Sequence, residues 1–138
     1  MAKNNKQINK GYSNKPFVSF PKTVINCVNF HALMHNPYAV MLLLQLCEQY
    51  NGSNNGDLSA AFSVLRNKGW ASNDTLFKAR KCLVHYGFIT ETRKGCRKRC
   101  SLYALAWEQI DPCDGKIDVR ATSQPSRGFT KKVPIWKP

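Results

Sequence analysis

Acidic side chains are scarce: eight Asp and Glu stand against 21 Lys and Arg in 138 residues, a formal charge of +13. None occurs before Glu48, although Lys3, Lys6, Lys10, Lys15 and Lys22 all lie in that stretch. Self-repulsion on this scale argues against a cationic partner and for a polyanion. Long apolar runs are also missing. Ala39 to Leu44, with Leu46 and Cys47 after one Gln, falls far below the roughly 18 to 20 residues that cross a bilayer. Residues 1 to 16 are nearly all polar and Phe17 to Phe20 is too short for a secretory core, so a soluble, cytoplasmic protein is expected. No Gly-rich phosphate loop, HExxH or supported carboxylate pair is present. Isolated Cys and His residues do not make a nucleophile and its base. No catalytic residue, cofactor or metal is expected, and the length suits one core with tails.

Six cysteines could suggest a disulfide scaffold, but nothing else reads as secreted, so reduced thiols are the default. Cys96 and Cys100 have a spacing within the zinc range, but no second ligand pair follows; Cys82, His85 and Cys113 could complete a site only through the fold. A disulfide across Cys96 and Cys100 is an equal alternative. His31 and His35 lie four apart, yet the nearby Asn36-Pro37 helix start puts them in a connecting turn.

Along the chain, residues 1 to 16 hold too few apolar groups to offset the entropy of ordering and are expected to form a flexible basic arm. Pro21 opens a short helix through Asn26. Asn36 caps a longer one in which Ala39, Leu42, Leu43 and Leu46 recur at helical spacing; Val40, Met41 and Leu44 make it apolar nearly all round, so it should lie at the centre of the core. The Asn and Gly residues between Asn51 and Asp57 end it. Ser59 caps a short helix with Phe62, Val64 and Leu65, stopping at Gly69. Ser72 or Asn73 caps the next, whose buried stripe is Leu76, Ala79, Leu83 and Val84. Phe88 to Thr92 and Ser101 to Leu105 then alternate apolar and polar, predicting a hairpin. Its tip, 93 to 99, carries five cations and a glycine. Beyond Trp107, Pro112, Pro125, Pro134 and Pro138 predict an irregular tail, 108 to 138, studded with Lys116, Arg120, Arg127, Lys131, Lys132 and Lys137.

This order resembles the winged helix-turn-helix family of DNA-binding proteins, in particular small bacterial, phage and mobile-element members. The resemblance covers roughly residues 36 to 107. It is carried by Leu58-Ser59 opening the second helix, Gly69 in the turn, Ser72 to Tyr86 as recognition helix, Gly87-Phe88-Ile89 entering the wing and Tyr103 to Trp107 leaving it, with the Asn54-Asn55-Gly56 loop. It implies an α+β domain over 17 to 107, a helical core with a C-terminal hairpin wing. It also implies a recognition helix in the major groove and a wing on an adjacent groove or backbone, in a transcriptional regulator or replication-associated factor.

Candidate DNA contacts on the recognition helix are Asn73, Thr75, Lys78, Lys81 and His85, with Cys82, lying off the Leu76, Ala79 and Leu83 stripe. Lys78 is the foremost base reader, because lysine donates to guanine acceptors. Asp74 suits the helix dipole and is structural. On the wing, Arg93, Lys94, Arg97, Lys98 and Arg99 repel one another unless phosphate neutralises them. The basic termini either wrap DNA or solubilise. Duplex DNA is thus the expected partner, with homodimerisation compatible. The rivals are RNA, a nucleoprotein complex that the protein blocks, and a protein partner met through Phe62, Phe77 or Trp70.

Overall fold

The computed structural model describes residues 16–138; the expected arm lies outside them, save Pro16. The architecture is α+β; among the described residues there are five α-helices, two 3-10 turns and one small antiparallel sheet. Two short helices, α1 (Lys22–Ile25) and α2 (Val28–Leu33), lead into α3 (Pro37–Gln49). Strand β1 (Leu58–Ser59) precedes α4 (Phe62–Leu65), α5 (Asn73–His85) and the hairpin β2 (Ile89–Arg93) and β3 (Leu102–Leu105). Among the described residues, no helix is long and apolar enough to cross a membrane.

Most elements follow their local signals. Ser72 caps α5, its hydroxyl accepting from the Thr75 amide at 3.3 Å. Leu76, Ala79, Cys82 and Leu83 form its buried stripe, while Val84, expected there, is exposed. In α3, Ala39, Leu42, Leu43, Leu46 and Cys47 are buried, but Leu44 is 54% exposed, so the helix lines the core rather than threading it. Three expectations need correction. Pro21 precedes α1 as its cap instead of opening it. Leu58-Ser59 is a strand paired with Tyr103 and Leu102, and α4 starts only after Ala61. His31 sits on α2, an element with no sequence signal strong enough to separate it from the adjoining turns; His35 lies in the turn after it.

The sheet order is β1-β3-β2. Ile89 pairs with Leu105 and Glu91 with Tyr103, and then the register shifts between Glu91 and Arg93. The bulge turns Thr92 inward, where its hydroxyl donates to the Gly56 carbonyl at 2.6 Å and its own carbonyl accepts from the Asp118 amide at 2.8 Å. One bulged residue thus ties the hairpin to the β1 loop and to the chain beyond β3.

The C-terminal segment is irregular, as expected, but it folds back onto the domain. Phe129 is buried, stacked on Phe88 at 5.9 Å within an aromatic cluster that also holds Phe20, Phe30 and Trp107. Two buried asparagines clamp this return. The Asn29 amide nitrogen lies 2.8 to 3.1 Å from the carbonyl oxygens of Tyr86, Phe129 and Lys131. Asn55 donates to the carbonyls of Leu105, Glu108 and Gln109 and accepts from the Leu105 amide at 2.7 Å. Its backbone exchanges bonds with Asp111. Each amide satisfies main-chain groups that lack a sheet or helix partner, which burial requires.

Candidate nucleic-acid interface

Packing divides α5 into three strips. Its inner strip faces α3 and the core. On one flank α5 faces the hairpin, where burial pushes the pKa of the Tyr103 hydroxyl up and the Arg80 charge partly opposes that shift. On the other flank runs the C-terminal segment. The His85 ring meets the Pro134 carbonyl at 2.6 Å, and the Trp136 amide donates to the Tyr86 hydroxyl at 2.9 Å. Between Pro37, Thr75, Lys78, Cys82, Trp136 and their neighbours lies a cavity of about 220 Å³. The outward strip holds Asn73, Asp74, Phe77, Lys81 and Val84, all exposed.

The expected contacts separate accordingly. Asn73 and Lys81 face outward. Lys78 is exposed but its ammonium sits 3.0 Å from the Asp74 carboxylate, one helical turn back. Thr75, like Lys78, lines the cavity beside the C-terminal segment, His85 bonds that segment, and Cys82 is buried in the core. Two further residues of this helix, Phe77 and Arg80, are absent from the expected DNA contacts. Phe77 is 47% exposed, and the Arg80 guanidinium and Lys81 ammonium lie 5.5 and 5.3 Å from its ring centroid. A helical wheel puts Phe77 opposite Ala79 and Leu83, which is the signal that finds it.

The hairpin tip is built as a tight reversal in which Cys96 and Arg99 pair across the strands. Its five cations are not equivalent. Arg93 donates twice to the Cys100 carbonyl, at 2.8 and 3.2 Å, and so closes the loop. Arg99 pairs with Asp118 at 3.1 Å. Lys94, Arg97 and Lys98 are exposed and form no ion pair among the described residues. Mutual repulsion at the tip is therefore relieved partly from within, and three cations remain open.

The cysteines are all unpaired. Cys96 and Cys100 are both exposed free thiols: Cys100 Sγ lies 3.7 Å from Ser59 Oγ, and the Cys96 backbone pairs with Arg99. The Cys96 thiol is held below its ordinary range, chiefly by hydrogen bonding from the Lys98 backbone and then by Arg99. Burial pushes Cys47 and Cys82 up to about 12. No group of three or more His, Cys, Asp or Glu side chains among the described residues is arranged to hold a metal ion. Of the aromatics that an adaptor would present, Trp70 is buried, Phe62 is half-buried, and Phe77 alone is exposed.

A larger cleft of about 760 Å³ lies near the start of the described chain, lined by Phe17, Tyr50, Trp107, Glu48 and Glu108. Its two carboxylates suit a phosphate poorly. Compared with known proteins, the chain matches no family model, no curated protein and no solved structure.

Proposed function

We propose that this protein binds double-stranded DNA as a winged helix domain, with the outward strip of α5 in the major groove and the β2–β3 tip on the phosphate backbone. The observation that carries this reading is the three open cations Lys94, Arg97 and Lys98 at the hairpin tip, on a chain of charge +13 whose α5 exposes Asn73, Phe77 and Lys81. Phosphate would neutralise the tip, and polar and apolar groups on the helix suit base edges. The element order supports the same docking: a short helix, a Gly69 turn, a longer helix and a hairpin. The reading assigns the protein a regulatory or replication-associated role in the cytoplasm, without catalysis. A duplex library of random sequence, selected on the full-length protein, tests it. Enrichment of one motif supports specific DNA binding. Retention of every duplex alike reduces the role to sequence-neutral charge binding, and retention of structured RNA in preference to duplex DNA overturns it.

A further inference from the structure

Phe77 is the one aromatic on the outward strip of α5, beside the polar and charged groups that would meet a duplex. The ring is half exposed at the middle of the outward strip, with Val84, 43% exposed, two turns further on. Arg80 and Lys81, three and four residues along, flank it on the helix surface and bring their charges within 6 Å of the ring centroid. The surroundings are cationic; Asp74, the one acid of α5, is engaged by Lys78. An apolar group inside a positive rim fits a surface that is negative with an apolar spot in it. The major groove has that character where thymine occurs, because the C5-methyl is the apolar group among its hydrogen-bonding base edges.

We infer that Phe77 is a specificity-determining residue that packs on thymine methyl groups while Arg80 and Lys81 engage the acceptors or phosphates beside them. The inference rests on the duplex-binding reading above and deepens it, naming thymine-bearing steps as what α5 selects. Phe77 is the fifth residue of α5, within the N-terminal half that enters the groove in helix-turn-helix docking.

The test uses the full chain and its selected duplex, with thymines replaced one at a time by uracil, which lacks only the methyl. Native protein should lose about fourfold in affinity at one or two positions, the fold-change equivalent of burying one methyl-sized group. Phe77→Ala should bind the thymine and uracil duplexes equally, and Phe77→Leu should keep part of the discrimination. Because the ring is half exposed, both variants should melt close to the native temperature, which separates a missing base contact from a damaged fold. Methyl-insensitive binding by native protein, or full methyl sensitivity in Phe77→Ala, overturns this inference and leaves DNA binding standing. Absence of any duplex binding overturns both together.

Discussion

The hairpin tip and the C-terminal segment are both rich in cations, and charge alone gives no reason to treat them differently. Residues 93 to 99 hold five cations in seven positions; residues 116 to 137 hold six. The tip projects with three of its cations open, whereas the C-terminal segment returns to the domain and buries Phe129, with Val133 and Trp136 half-buried behind it. The difference lies in what is spaced among the charges. Between the tip cations there is only Gly95 and Cys96. Between the C-terminal cations there are aromatic and branched side chains, and burying one of those yields roughly 1.5 to 3 kcal/mol, enough to offset part of the ordering entropy.

The largest effect should come from removing the main anchor. Phe129→Ala deletes a ring stacked on Phe88 and edge-on to Trp107. A loss of about 3 to 5 kcal/mol is expected, lowering the melting temperature by on the order of 10 °C. A shift under a few degrees would show that the segment is not part of the folding unit. Gly87→Ala attacks the same docking from the other side. Gly87 has φ of +80°, and a Cβ there would stand 2.4 Å from the Gly128 carbonyl carbon. Strain plus backbone clash should cost about 2 to 3 kcal/mol, read by chemical denaturation. Wild-type stability in this variant would mean that the Gly87–Gly128 contact is dispensable.

The tip should behave in the opposite way. Replacing Lys94, Arg97 and Lys98 together with Ala removes no buried side chain, so the melting temperature should stay within a degree or two. The log–log salt dependence of duplex binding should nonetheless fall by roughly 2 to 3 units, about 0.9 for each phosphate no longer neutralised. Arg99→Ala should add less, because its guanidinium already faces Asp118. An unchanged slope in the triple variant would take the tip off the DNA. Thiol chemistry gives a milder probe of the same contrast. In native protein Cys96, exposed and held below its usual range, should be alkylated first as pH rises, while Cys47 and Cys82, pushed up to about 12 by burial, should react last. Duplex DNA should slow Cys96, and with it the exposed Cys100, if the tip is covered, and leave Cys47 and Cys82 unchanged.

Where signals are local, sequence and structure agree: α3, α5 and the hairpin stand where apolar periodicity places them, and Ser72 caps α5, although the Asn36 side chain makes no capping bond to α3. What escaped was decided by partners distant in the chain. Asn29 and Asn55 look like loop residues, yet each bonds carbonyls 50 or more positions away. Strand β1 is two residues long and exists because β3 passes beside it. The same long-range closure redistributed the candidate site. Asn73, Lys81, Lys94, Arg97 and Lys98 are exposed as expected, but Thr75 lines the cavity beside the C-terminal segment and His85 bonds that segment. Phe77 is legible on the wheel, but an aromatic on a helix surface reads more readily as a protein-docking group than as a base contact.

The smallest expected effect concerns Lys78, and it separates a residue's apparent chemistry from its actual partner. Its ammonium lies 3.0 Å from Asp74, with both side chains more than half exposed. Such a pair is worth about 0.3 to 0.5 kcal/mol. Asp74 also sits in the first turn of α5, where the helix dipole favours an acid by roughly a further 0.3 to 1 kcal/mol. Lys78→Met should therefore cost only the pair, and Asp74→Asn the pair and the dipole term, in denaturant titrations of the two variants. On DNA the order should reverse in sign. Asp74→Asn removes a negative charge and releases Lys78, so affinity for every duplex should rise. Lys78→Met should lower the ratio of cognate to scrambled affinity by less than about fivefold at fixed salt, since a lysine committed to Asp74 supplies little of the roughly 1 to 3 kcal/mol that a well-made base contact provides. A fall of about tenfold or more in that ratio would show that Lys78 leaves Asp74 on binding, and would return to Lys78 the reading role proposed for Phe77.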